Sequence, residues 1–311
     1  MFRLAHLSDP HVPPDGPPRR RDLLSQRAIG WVNWQRNRRR VHVRHVLDAV
    51  TGDIHTHAPD HIAVTGDLAI VSTPAEWRAC RAWLDHIGPP DKVSLVPGNH
   101  DTYVRRAVTG TELAWREYMA GDPDTLAHGG FPYLRRRGPL ALVGCSSAIV
   151  TAPFLATGKV GRDQLARLEM LLARLGREGW FRVVMIHHPP TREPGDRFRR
   201  LLDAREVAAA LERAGAELIL HGHEHRATLR WLPGPVAPIP VVGVPSASAL
   251  EHSGRPAAQY NLFDISGMAG AWSCRMIVRG FDGGVLHTLC EQELRTGRDE
   301  VAPCAAAPRA G

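Results

Sequence analysis

No run of 18 or more apolar residues occurs in the 311-residue chain, which excludes a membrane-crossing helix on length grounds. Met1 to Leu7 is too short and too polar for a signal-peptide core and reads as a first strand. Cysteine is sparse: Cys80, Cys145, Cys274, Cys290 and Cys304 are scattered, odd in number and form no Cys-x-x-Cys pair. That pattern argues against a disulfide framework and against cysteine-ligated zinc, and a cytoplasmic location is expected. Lysine is nearly missing. Lys92 and Lys159 are the only two, so arginine carries almost all of the positive charge behind a net +7. Such a balance suits an anionic partner, although a GC-rich coding bias would produce it equally well.

The rest of the composition is ordinary. At 43% hydrophobic and 23% charged residues the chain has the makings of a soluble globular protein, with enough apolar residues for one large core or two small ones. One stretch organises it. An apolar run, Val93 to Val96, leads into Pro97-Gly98-Asn99-His100-Asp101, where an amide, an imidazole and a carboxylate follow one another at a strand end. Burying such a group is costly unless something charged compensates it, and a metal ion is the natural candidate. Taken alone the tetrapeptide Gly-Asn-His-Asp also makes ordinary turns.

Four other clusters share its context. Phe2 to Leu7 runs into Asp9-Pro10-His11, and His61 to Thr65 runs into Gly66-Asp67. Phe181 to Ile186 ends in His187-His188, and Leu218 to Leu220 ends in His221-Gly222-His223-Glu224-His225. Between them lie helical patterns at Asp22 to Arg40, His42 to His57 and Leu165 to Leu175, with helix starts expected at Thr73, Thr109 and Asp203. Tyr133 to Arg137 and Leu140 to Ser146 form a hairpin pattern. Strand patterns follow near Thr228 to Leu232, Val241 to Val244, Gln259 to Ile265 and Cys274 to Arg279. The expected architecture is α/β, a four-layer αββα sandwich of two mixed β-sheets flanked by helices, as one domain over 1–295. Residues 296–311 are expected to be a disordered tail. An Arg- and Trp-rich insert spans about 13–41; Trp31 and Trp34 suit a helix docked by its aromatics, or a contact with an anionic membrane surface.

In such a sheet, ligands gather at the carboxyl ends of strands. Asp9, His11, Asp67, Asn99, His187, His223 and His225 are nitrogen and oxygen donors suited to manganese, iron or zinc. Seven donors exceed one tetrahedral ion and fit two ions sharing a carboxylate.

The ordered series Asp-x-His, Gly-Asp, Gly-Asn-His-Asp, His and Gly-His-x-His, from Leu4 to about Arg226, resembles the calcineurin-like metallophosphoesterase family. Spacing and size resemble most the bacterial class III cyclic-nucleotide phosphodiesterase branch, from which the 13–41 insert departs. The resemblance implies two divalent or mixed-valence ions (Mn, Fe or Zn). Asp9, His11 and His225 would hold one of them, Asn99, His187 and His223 the other, with Asp67 bridging. It also implies hydrolysis of a phosphate ester by activated water. His100 would protonate the leaving oxygen, Asp101 would orient His100, and His188 would support the site or touch substrate. His221 is expected to be structural, and His42, His55 and His86 surface or locally bonded. The leading substrate is a phosphodiester: a cyclic or linear nucleotide, or a glycerophosphodiester. A nucleotide-lipid or nucleotide pyrophosphate is the alternative, although the family's lipid A precursor hydrolases typically carry Arg where His100 stands. No aromatic stripe supports a nuclease. A non-catalytic scaffold, the alternative of another class, would be expected to lack a ligand.

Overall fold

The structure, a computed structural model, describes residues 1–14, 16–123, 130–191 and 197–294. Its first half alternates strand and helix: β1 (Phe2–Leu7), α1 (Arg27–Asn33), α2 (Arg44–His57), β2 (His61–Val64), α3 (Pro74–Ile87), β3 (Val93–Leu95) and α4 (Arg105–Trp115). A hairpin, β4 (Tyr133–Arg137) and β5 (Leu140–Gly144), leads to α5 (Arg162–Arg177), β6 (Phe181–Met185), α6 (Ala204–Ala214) and β7 (Leu218–His221). Strands then predominate: β8 (Thr228–Leu232), β9 (Ile239–Gly243), β10 (Gln259–Met268), β11 (Ala271–Asp282) and β12 (Val285–Glu293).

Two mixed six-stranded sheets result, in the orders β12-β11-β10-β1-β2-β3 and β4-β5-β6-β7-β9-β8. In the first, β1, β2 and β3 are parallel; in the second, β5, β6, β7 and β9 are. The alternation of side chains along each strand divides the core. Phe181, Val183, Met185, Leu218 and Leu220 join Leu4, Leu7 and Val64 in the cluster shared by the two sheets. Their neighbours Val184, Ile186 and Ile219 join Leu168, Leu172, Val207 and Leu211 of α5 and α6 instead. The layered α/β sandwich expected from the pattern is the one observed.

Local chemistry explains where elements start. Thr73 Oγ1 accepts from the Glu76 N–H at 3.3 Å and Glu76 Oε2 accepts from the Thr73 N–H at 2.7 Å, a complete capping box with Pro74 at the first helical position. Other expectations shift. Helix α4 begins at Arg105, so Thr109 and Glu112 lie inside it. Asp203 caps nothing through its side chain; its carboxylate accepts from Val160 N–H at 3.1 Å and Gly161 N–H at 2.8 Å, tying the loop before α5. Strand β12 was not expected, because its largely exposed sequence offers little apolar alternation. The expected disordered tail lies outside the described residues.

The insert is not one helix. A 3-10 turn at Arg20–Leu23 precedes α1, and a π-helical turn follows over Trp34–Arg38. Trp34 is buried with Ile70 and Val71, and Trp31 packs against them, so the aromatics dock on the core. Cys80, Cys145 and Cys274 are buried free thiols. No helix among the described residues is long and apolar enough to cross a membrane.

Candidate metal centre

Five parallel strands, three from one sheet and two from the other, end at the same crevice. Asp9 and His11 follow β1, Asp67 follows β2, Asn99 and His100 follow β3, His187 follows β6, and His223 and His225 follow β7. The turns that deliver them are strained. Asp9, His11, Asp67, His223 and His225 all have left-handed backbones, with φ of 51°, 37°, 57°, 70° and 51°. Each such residue costs on the order of 1–3 kcal/mol and persists where the surroundings hold it, typically at functional sites. Gly98 keeps out of that region; it is required by close approach, since a Cβ there would stand 2.1 Å from Asp67 Oδ1. At Gly222 a Cβ would stand 1.8 Å from Ser8 Oγ and 2.4 Å from Asp9 Oδ2.

The seven sequence-expected ligands meet. His11 Nε2 and His225 Nε2 are 3.3 Å apart, His225 Nε2 is 3.1 Å from Asp9 Oδ1, and His187 Nε2 is 3.4 Å from Asp67 Oδ2. His223 Nδ1 is 3.0 Å from Asn99 Oδ1, and Asp9 Oδ2 accepts from the His223 N–H at 3.0 Å. Donor groups of Asp9, His11 and Asp67 lie within 4.8 Å of one another, as do those of His187, His188 and His223.

Hydrogen-bond accounting tests whether a cation fits. A neutral imidazole has one N–H and one lone pair. His187 Nδ1 donates to Thr65 O at 2.6 Å, His223 Nε2 to Arg199 O at 2.7 Å and His11 Nδ1 to Ala69 O at 3.2 Å. In the neutral rings the remaining nitrogen is therefore a lone pair: those of His187 and His223 face oxygen acceptors, Asp67 and Asn99 Oδ1, and that of His11 faces His225 Nε2. Asp9 Oδ1 and His187 Nε2 are buried without a hydrogen-bond partner. Acceptors packed against acceptors are unfavourable unless a cation lies between them, so the residues fit metal ions.

Electrostatics agree. Burial alone would raise the Asp9 and Asp67 carboxyls, yet the adjoining imidazoles, His225 foremost for Asp9 and His187 for Asp67, hold both below the usual carboxylate range. Burial keeps His11 and His223 well below the ordinary imidazole value, hence neutral and able to ligate. His187 goes the other way: burial lowers it, but Asp67 outweighs that and pushes it up to about 9, so without a metal ion a proton takes the place between His187 Nε2 and Asp67 that the metal cation would fill.

Two expectations need correcting, and the one for His188 is narrowed to its first alternative. Asp101 does not orient His100. Its carboxylate accepts from the Asp67, Ala69 and Gly98 N–H groups, each at 2.9 Å, and so pins the turn that carries Asp67. With Asp67 close by, burial pushes Asp101 up to about 7. The His100 ring is held instead by Ile70 O at 2.6 Å from Nδ1, with Arg38 Nη1 3.3 Å from Nε2. His188 has both nitrogens engaged, by Ser147 Oγ at 2.8 Å and Ala156 O at 3.1 Å, so it supports His223 from below. His42 is not a surface residue: it is 3% exposed, with its ring 4.7 Å from that of His11. His55 is locally bonded, to Ile87 O, and His86 is exposed, as expected. Sequence spacing marks neither Arg38 nor His42, because both arrive from the insert.

The model of the calcineurin-like phosphoesterase family matches residues 2–227. The chain belongs to this family. Among its described residues, His/Asp groups could hold a metal ion. A Synechococcus protein named as a probable cyclic nucleotide phosphodiesterase is 27% identical over 187 residues, covering 58% of this chain and 64% of that protein, short of two thirds of its length. A dimetal phosphatase from Danio rerio superposes with a TM-score of 0.60 at 12% identity, over 95% of this chain and 99% of the other. A purple acid phosphatase from yellow lupin gives 0.59 at 12% identity, over 92% and 52%. At these identities the structural likeness is one of fold.

Proposed function

We propose that Asp9, His11 and His225 hold one metal ion and Asn99, His187 and His223 a second, with Asp67 between them, and that the chain hydrolyses a phosphodiester. The observation that carries this is the set of lone pairs set against one another across the crevice. When bound, a pair of manganese, iron or zinc ions supplies Lewis acidity and an acidified water for attack on phosphorus. The chain's own groups do the rest. Asp67 brings negative charge to the middle of the cage, and neutral Asn99 leaves the site electrophilic. His100 lies at the mouth with Nδ1 held by Ile70 O; once substrate draws the Arg38 guanidinium onto a phosphoryl oxygen, the freed Nε2 takes up a proton from solvent beside the substrate's negative charge and passes it to the leaving oxygen.

The named Synechococcus relative supports a diester, of the cyclic-nucleotide kind. One observation favours a pyrophosphate ester as the second reading. Arg38, Arg199, Arg226 and Arg255 are near enough that, after burial, their mutual repulsion holds the Arg255 guanidinium below its ordinary value. A substrate with a second phosphate group would relieve that repulsion. The complete donor set weighs against a non-catalytic scaffold. Assay of the manganese-loaded protein against cyclic and linear nucleotide diesters, glycerophosphodiesters, monoesters and nucleotide pyrophosphates tests the reading. Highest kcat/KM on a diester supports it; on a pyrophosphate it supports the second reading. Preference for monoesters would remove both.

A further inference from the structure

His42, the residue at the end of the insert, has the geometry of a cage histidine. Its ring nitrogen lies within 4.8 Å of those of both His11 and His225, as one buried three-imidazole group. The ring is held on both sides. Trp34 stacks on it at 5.6 Å between centroids and 22° between planes, and the backbone is tied to the loop after β9 through Val43 N–H to Ser248 O at 2.9 Å.

The tautomer follows from the hydroxyls beside it. Ser246 Oγ donates its one proton to Asp9 O at 2.6 Å, so its 3.2 Å contact with His42 Nδ1 requires the imidazole to donate. Ser248 Oγ lies 3.0 Å from the same nitrogen. Nδ1 therefore carries the hydrogen, and Nε2 is the lone pair available to the group that contains His11 and His225. An N–H tied to an oxygen acceptor, with the other nitrogen turned to the ion, is how ligating imidazoles are ordinarily oriented.

We propose that His42 is an eighth protein ligand, giving the Asp9/His11/His225 position a third imidazole that the other position lacks. The proposal rests on the dinuclear reading above. Its consequence is asymmetry: a further neutral nitrogen donor makes that ion the tighter and less exchangeable of the two, and leaves the Asn99/His187/His223 position as the more open one toward substrate.

The full-length chain would be loaded with manganese, dialysed, and analysed for metal content and for affinity by chelator competition, alongside His42→Ala and His42→Gln. The wild type is expected to retain two equivalents. The variants are expected to retain one, with the other weakened about 10- to 100-fold. Crystals of the metal-loaded wild type add a readout free of any folding defect: one of two anomalous peaks should lie about 2.1 Å from His42 Nε2. Two equivalents at unchanged affinity in a folded variant would overturn the assignment, as would both peaks lying well beyond bonding distance of Nε2. A wild type that binds no metal would remove the dinuclear reading beneath it as well.

Discussion

The buried histidines of this protein divide into two groups, and burial does not separate them. His6, His61, His188 and His221 are as fully enclosed as His11 and His187. The difference lies in what faces the second nitrogen. His188 and His221 meet a hydroxyl or carbonyl at each nitrogen, and His6 and His61 bond Thr65 Oγ1 at 2.9 Å and Ser94 Oγ at 2.8 Å through Nε2. His6 and His61 leave Nδ1 without a partner, but among the described residues neither belongs to a cluster of potential metal donors. In His11, His187 and His223 one nitrogen is fixed by a backbone carbonyl, and the other is aimed at a carboxylate, an amide oxygen or a second imidazole. A ligand is thus recognised by the acceptor it faces, a relation between distant segments.

The sharpest way to break that division is Asp67→Asn. It removes the carboxylate facing His187 and should lower turnover about a thousandfold or more, with loss of bound metal. Full turnover with two ions retained would sink the cage. His100→Ala should lower kcat by roughly 10²–10⁴ while metal content holds, because His100 is bonded to Ile70 O and Arg38 and is not placed as a ligand. Parallel loss of metal would move His100 to the other side of the division. His188→Gln should keep both ions yet cost about 1–3 kcal/mol in urea unfolding, from the unpaired Ser147 hydroxyl and Ala156 carbonyl. Metal loss without destabilisation would place His188 in the cage.

The smallest effect is on pH-dependent stability. Burial lowers His6 and His61 to about 3, below the unfolded value near 6.5. Below that value the unfolded chain binds more protons than the folded one, so stability is full above about 6.5 and falls as pH drops toward 3. Each histidine contributes about 1.4 kcal/mol per pH unit to the slope. Comparing His61→Gln with the wild type between pH 7 and 5 should show one proton fewer; an unchanged slope would mean that His61 is protonated in the fold.

Much of this was legible in the chain. The capping box at Thr73 and Glu76, the hairpin around Gly138-Pro139 and the strand-end positions of all seven expected ligands follow from local periodicity and turn chemistry, which neighbouring residues decide. Asp203 misled because its carboxylate found the distant Val160 and Gly161 N–H groups in preference to its own helix. Asp101 misled in the same way, since adjacency to His100 in sequence says nothing about which backbone donors a left-handed turn exposes.

By itself the sequence determined the α/β layering and the donor types at each strand end, because alternation, helical spacing and residue chemistry are local properties. Only the tertiary structure decided which lone pairs confront one another and that the insert delivers Arg38 and His42 to the crevice. Those outcomes depend on two sheets meeting and on a π-turn docked by Trp34, and no window of neighbouring residues contains them.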